Sequence, residues 1–410
     1  MTTSYPLGKI RVVLAEGVHA RGAEMLREAG YAVDARGGAL SGAELLEVAP
    51  EVSMLGIRSK TVLGREFFEK APRLWAVGCY CIGTNQVDLA AAAERGVTVF
   101  NAPFSNTRSV AELTIAEVVA LQRGLASHSA EMHAGVWQKT AAGRHEVRGT
   151  TLGIVGYGRI GSQVSVLAEA MGMRVVFFDV ADRLALGNAR AARTLEEALA
   201  EADVVTLHVP ATAATEGMIG AAEMARMKRG AYLINNARGS VVDLDALAAA
   251  IREKRLGGAA VDVFPEEPEG NGPGFETPLR GLANVILTPH IGGSTLEAQE
   301  RIAAEVSGKL SRFMNTGATA QAVNVPEVDL PALHAGHRRI LHFHRNVPGV
   351  LSRLHGLIAD LGVNIAAETL QTDARHGYVV LDVSAEGGAA EALREGLRKI
   401  PETIRVRTLW

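Results

Sequence analysis

The stretch TLGIVGYGRIG, residues 151–161, sets the architecture of this 410-residue chain. Leu152-Gly153-Ile154-Val155 reads as a buried strand, and Gly156, Gly158 and Gly161 follow at the G-x-G-x-x-G spacing that opens a helix. Each glycine has a mechanical reason: a tight turn, close backbone approach to a pyrophosphate, and close packing of helix on sheet. The helix start, with Arg159 and Ile160, offers N–H groups and partial positive charge to an anion. Asp179 ends the next strand, where a carboxylate binds an adenosine ribose and repels a 2′-phosphate, so NAD is expected rather than NADP. Such a turn also suits plain packing, but here strand, helix and acid occur together.

Working outward, the strands predicted over Thr151–Val155, Met173–Asp179, Asp203–Val209, Ala231–Asn235, Ala259–Val263 and Val285–Pro289 alternate with helical segments, the pattern of a doubly wound sheet. An earlier series (Ile10–Leu14, Ser53–Ile57, Leu74–Val77) alternates with helices such as Ala20–Ala29. Between the two series, Val110, Leu113, Ile115, Val118 and Leu121 predict one long helix within Ser105–Leu125. After a helix at Thr295–Phe313, Asn315–Gly336 is rich in Ala, Asn and Pro and reads as a linker. The tail then runs strand, helix, strand, strand, helix, strand, a ferredoxin-like order with its first helix over Pro348–Leu361. The expected class is therefore α/β: a discontinuous flavodoxin-like substrate domain (1–104, resumed with the linker over 294–336), an inserted Rossmann NAD domain (105–293) and a ferredoxin-like domain (337–410).

Hydrophobic residues make up 48% of the chain, enough for a core in each domain, and a net charge of −3 gives no global attraction for nucleic acid or an anionic membrane. No apolar run is long enough for a membrane span. The two cysteines, Cys79 and Cys81, read as reduced thiols, and no metal-ligand spacing accompanies them. A soluble, cytoplasmic protein without a metal is expected.

Three polar residues fall where strands of the second series end: Arg238, Glu267 and His290. Ligands of doubly wound sheets bind at that edge. There an imidazole can take the proton of a 2-hydroxyl while hydride leaves carbon 2, a carboxylate on its other nitrogen fixes the tautomer, and an arginine grips a substrate carboxylate. Taken singly, His290 also suits a satisfied buried histidine, Glu267 a solvated turn and Arg238 a surface ion pair. Their shared position favours catalysis.

The runs GYGRIG (156–161), NNARG (235–239), DVFPEEP (262–268) and TPHIGG (288–293) resemble, in order and spacing, the signatures of the D-2-hydroxyacid dehydrogenase family. More narrowly, CYCIGTNQVD (79–88) and NAPFSNTRSVAE (101–112) resemble its enterobacterial phosphoglycerate branch. The resemblance implies oxidation of 3-phospho-D-glycerate, with His290 as acid/base, Glu267 as its partner and Arg238 as carboxylate anchor. It further implies cofactor contacts from His208, Pro210, Asn236, Ala237, Arg238, Asp262, His290, Gly292 and Gly293, besides the glycine turn and Asp179. Arg58, Ser59, Lys60, Asn106 and Lys139 are the implied substrate-binding residues, although Lys60 stands where the family carries arginine and so lacks the planar fork. Trp137 and Lys139 match a segment that in the family reaches a neighbouring subunit, which makes Trp137 an interface anchor, although it also suits a plain core aromatic.

The tail resembles an ACT domain, in which His344, Asn346 and, across a domain–domain contact, Asn364 match serine-binding positions; Arg345 and Val347 depart from that pattern. Asn346 as a plain helix cap and Asn364 as a turn residue remain local alternatives. L-Serine feedback and a homotetramer are the expectations this carries. Two other functions stay open: reduction of 2-oxoglutarate at the same site, and an NAD-sensing binding protein on the same scaffold.

Overall fold

The computed structural model describes residues 6–268, 270–334, 336–384 and 388–409. The chain divides into two compact units, Met1–Ser105 with Gln299–Trp410, and Asn106–Ala298.

The first unit is built on a five-stranded parallel sheet: β1 Arg11–Leu14, β2 Ala32–Ala35, β3 Met54–Ile57, β4 Ala76–Cys79 and β5 Thr98–Asn101, in the order β2-β1-β3-β4-β5. This is the flavodoxin-like order. β3, β4 and β5 are buried throughout, which is why their sequences are continuous apolar runs without alternation. On one face of the sheet the helix Leu296–Thr316 returns to it, and Ile302, Val306, Leu310 and Phe313 join Val12, Leu14 and Phe100 in one core. Each such fully buried side chain contributes roughly 1.5–3 kcal/mol.

Of the span 315–336, expected to be a linker, residues 318–330 pack instead. Ala318, Ala322, Val325, Val328 and Leu330 are buried in that same core. Its irregular spacing hid this, because residues buried from a loop need no period. At the sheet edge, Asn324 accepts the Val99 N–H at 2.8 Å through Oδ1 and donates to the Val97 carbonyl at 2.8 Å through Nδ2.

The second unit is a seven-stranded parallel sheet: β6 Thr151–Val155, β7 Arg174–Phe178, β8 Arg190–Ala191, β9 Val204–Leu207, β10 Tyr232–Asn235, β11 Gly258–Val261 and β12 Val285–Leu287. Its order, β12-β11-β10-β9-β6-β7-β8, is that of a Rossmann sheet extended by one strand. The long helix expected across Ser105–Leu125 runs over Thr107–Arg123 and then breaks. Gly124 adopts φ 59°, ending it with a left-handed residue, and a separate helix occupies Leu125–His133.

In the C-terminal part, β13 Arg338–Arg345, β14 Asn364–Thr372, β15 His376–Ser384 and β16 Thr403–Leu409 form an antiparallel sheet in the order β14-β15-β13-β16, with helices Val350–Asp360 and Ala389–Arg398. This is the ferredoxin-like arrangement expected of the tail. The first helix starts two residues later than expected, because Gly349 at φ 90° precedes it. Arg339 anchors β13 to the preceding segment: it pairs with Asp382 at 2.6 Å through both Nε and Nη2, and its Nη1 donates to the carbonyls of Thr316 and Pro331.

Candidate active site

Three loops at the C-terminal ends of β10, β11 and β12 carry Arg238, Glu267 and His290. His290 and Glu267 meet: Nδ1 lies 2.8 Å from Oε2, and both side chains stay partly exposed. Glu267 also accepts the Phe264 N–H at 3.1 Å, which holds its carboxylate in place. His290 has φ 53°, an uncommon conformation for a non-glycine residue. Asp262 explains how it is maintained. Its carboxylate, 1% exposed, accepts the N–H groups of Ile291 and Gly292 at 2.8 Å and the Thr288 hydroxyl at 2.6 Å, while its carbonyl accepts the His290 N–H.

The Arg238 loop is shaped by two asparagines. Asn235 accepts the Ala237 N–H and donates to the Arg238 carbonyl, while Asn236, almost fully buried, donates to Glu117 at 2.6 Å and Thr114 at 3.0 Å. Ala237 is buried beside them. Burial pushes the Glu117 carboxyl up to about 8, the Asn236 bond pulling down and the charge of Asp262 adding to the rise. At neutral pH it is mostly a neutral acid. Gly239 is obligatory at the next position, because a Cβ there would lie 1.9 Å from the carbonyl carbon of Phe264.

The glycine turn supplies the test of whether a dinucleotide fits. Gly156 has φ +92°, and a Cβ on it would sit 2.5 Å from the His208 carbonyl oxygen; at Gly161 it would meet the Gly156 oxygen at 2.2 Å. Gly158 differs, since a Cβ there would meet nothing within 4 Å. That open cradle lies at the start of the helix Arg159–Ala170, whose N-cap residue, Gly158, has no side chain to cap the N–H groups. Asp179, just past β7, accepts the N–H groups of Tyr157 at 2.8 Å and Ala181 at 2.9 Å, tying the acid to the turn. His208 follows β9, with Pro210 exposed beyond it; burial pushes its imidazole down to about 3, so it is neutral, bonded to Thr206 at 3.1 Å. The residues present fit NAD.

These geometries agree with what the chain is similar to. The model for the D-isomer specific 2-hydroxyacid dehydrogenase NAD binding domain matches residues 115–292, and the AHAS small subunit-like ACT domain matches residues 340–405. The D-3-phosphoglycerate dehydrogenase of Haemophilus influenzae is 53% identical over 98% of both chains, and that of Escherichia coli K12 is 52% identical over the same share. The chain belongs to the D-3-phosphoglycerate dehydrogenase family. Among solved structures, the TT0316 protein of Thermus thermophilus superposes with a TM-score of 0.67 at 36% identity, covering 74% of this chain and 97% of that one. As a member of this family the chain is an NAD-dependent dehydrogenase with an ACT domain.

The remaining expected positions fall in several places. Arg58, Ser59 and Lys60 form the turn after β3, and Glu16 cradles it, accepting the N–H groups of Arg58 at 3.1 Å, Lys60 at 3.0 Å and Thr61 at 2.8 Å. Burial opposes ionisation of Glu16, but those N–H bonds outweigh it and hold the carboxyl below its ordinary value. Asn106 is buried against Gly293, whose Cβ would lie 2.3 Å from its amide nitrogen. Gly292 faces the Asp262 carboxylate. Lys139 lies in an exposed groove with His128, Glu131 and Trp137, a residue 80% exposed.

In the ACT domain, His344 is buried with Nδ1 at 2.9 Å from the Arg345 carbonyl and Nε2 without a partner among the described residues, and burial holds its imidazole below the usual value. Asn346 does not cap the helix; its amide donates to the Asp373 carbonyl at 2.7 Å. Asn364 is exposed at the start of β14. Sequence reading passed over His342, which stacks on His344 at 5.2 Å and bonds Thr403 at 2.7 Å. It also passed over Glu16 and Glu117. Glu117 did leave a signal: a carboxylate in register with Val110, Thr114, Val118 and Leu121 on a buried helix face. Among the described residues no cluster of His, Cys, Asp or Glu is placed to hold a metal. No helix among them is long and apolar enough to cross a membrane.

Proposed function

We propose that the protein oxidises 3-phospho-D-glycerate to 3-phosphohydroxypyruvate, the first step of L-serine synthesis, and that serine inhibits it through the ACT domain. The observation that carries this is the 2.8 Å pairing of His290 with Glu267, on the loops after β12 and β11, next in the sheet to β10, whose loop carries Arg238. Bound NAD supplies the hydride acceptor for carbon 2. His290 Nε2 takes the 2-hydroxyl proton as that hydride departs, and Glu267 fixes the tautomer and stabilises the resulting imidazolium. Arg238 grips the carboxylate and polarises the developing carbonyl. The substrate phosphate is assigned to Arg58, Ser59 and Lys60 with Asn106 and Lys139, and effector serine to His344, Asn346 and Asn364. A cytoplasmic homotetramer, with substrate segments 1–104 and 294–336, NAD domain 105–293 and sensing domain 337–410, completes the reading.

The experiment is steady-state NADH oxidation with 3-phosphohydroxypyruvate and, in parallel, 2-oxoglutarate, each with and without L-serine. A faster phosphohydroxypyruvate reaction inhibited by serine is the expected result. Preference for 2-oxoglutarate would reassign the substrate, and insensitivity to serine would remove the sensing role. Binding of NADH without turnover of any 2-oxo acid would leave an NAD sensor.

A further inference from the structure

We propose a second ligand site, for a small dianion such as a phosphate monoester or a dicarboxylate, in the cavity between the first sheet's helix ends and the ACT sheet. The cavity measures 840 Å³, within the usual range for small-molecule sites. One wall comes from the ends of the helices Arg65–Lys70 and Leu89–Glu94, the other from the loop after β13, the β14–β15 turn and the start of β16. All of it lies within the first unit.

The argument is one of uncompensated charge. Arg405 crosses Trp75 with its guanidinium carbon 3.6 Å from the ring centroid and donates to the carbonyls of Leu74 and Pro72. Arg407, two residues on, lies 5.4 Å over the same ring and donates to the Met314 carbonyl. Neither meets a carboxylate among the described residues, and burial pushes them down, Arg405 to about 9 and Arg407 to about 10, the charge of Arg407 adding to the effect on Arg405. Both are still cations at neutral pH. Burying neighbouring cations without an anion is costly, and proteins normally compensate it.

The acids on the wall do not provide that compensation. Glu94 is bonded to Arg65 at 2.6 Å, and Glu69 pairs with Arg95 at 3.8 Å. On the open side stand Arg345, whose guanidinium donates to the Pro401 carbonyl at 3.5 Å, and Arg375, which acts on Glu94 through its charge; neither forms an ion pair among the described residues. Three guanidinium groups, Arg345, Arg375 and Arg405, therefore line one cavity without a paired counter-anion among the described residues. Their forked donors match the oxygens of phosphate and carboxylate. Asn346 lines the cavity as well, so an occupant would contact the loop assigned above to serine sensing; the site itself does not depend on that assignment.

The test is isothermal titration of the full-length protein with inorganic phosphate and, separately, succinate. It uses an Arg58→Ala background to remove the assigned active-site phosphate contact. Saturable binding of one of these anions at one site per chain is expected, weakened about tenfold or more by adding Arg345→Gln and Arg375→Gln, as the loss of charge-assisted bonds implies. Saturation by phosphate alone would assign the site to phosphate esters, and by succinate alone to dicarboxylates. Unchanged affinity for NADH shows that the variants are folded, and the single Arg375→Gln variant repeats the test with less disturbance. No saturable binding of either anion, or equal affinity with and without the arginines, overturns the proposal.

Discussion

Asp262 holds His290 in its left-handed conformation from both sides of its own residue, by carbonyl to the His290 N–H and by carboxylate to the two N–H groups that follow. The turn that presents the imidazole is thus imposed by one buried carboxylate. Asp262→Asn keeps the volume but sets an amide donor against N–H groups, leaving a buried donor unsatisfied at a cost of about 1–3 kcal/mol. Turnover should fall at least tenfold and thermal stability should drop. Wild-type turnover in that variant would show that the turn persists without the acid.

His290→Ala should lower turnover by about 10² or more, the contribution typical of a positioned acid/base. NADH affinity, read by fluorescence titration, should change little. An equal loss of both would assign the imidazole to cofactor binding instead.

Glu117 gives a pH-dependent stability. Its carboxyl titrates near 8 in the folded protein against an ordinary 4.5. The folded state therefore holds the extra proton between those values, and stability falls as pH rises through that window. Glu117→Gln carries no ionisable group, so it should melt close to the wild type at pH 5 and above it at pH 8, by about 2–4 kcal/mol. The same difference at both pH values would mean that Glu117 ionises normally.

The two neighbouring glycines should separate folding from cofactor binding. Gly156→Ala forces a side chain onto a left-handed residue 2.5 Å from a carbonyl oxygen and should cost about 1–3 kcal/mol of stability. Gly158→Ala meets open space, so stability should hold while NADH affinity falls, because the methyl fills the cradle. Unaltered NADH affinity in Gly158→Ala would place the diphosphate elsewhere.

The legible parts of the chain were those whose information is local. The turn at 156–161 declares itself within eleven residues, and the alternation of strand and helix follows from short periodic runs. What escaped was set by partners distant in sequence. Glu16 becomes a cradle only when β1 and β3 lie side by side, bringing it to the Arg58–Lys60 turn 42 residues away. The break at Gly124 was written in the sequence but masked by apolar spacing that continues to Leu121. The packed segment after Thr316 has no period at all. The meeting of Glu117 with Asn236 needs a helix and a strand end 119 residues apart.

Asn324 has one more consequence. β5 is the last strand of its parallel sheet, and its outward N–H and C=O groups form a template on which a stray extended peptide can add. A single carboxamide occupies the Val97 carbonyl and the Val99 N–H, and the Val323 N–H takes the Val99 carbonyl. The chain thereby insulates its own sheet from aggregation, and a residue with no part in hydride transfer guards against the commonest failure of a β edge.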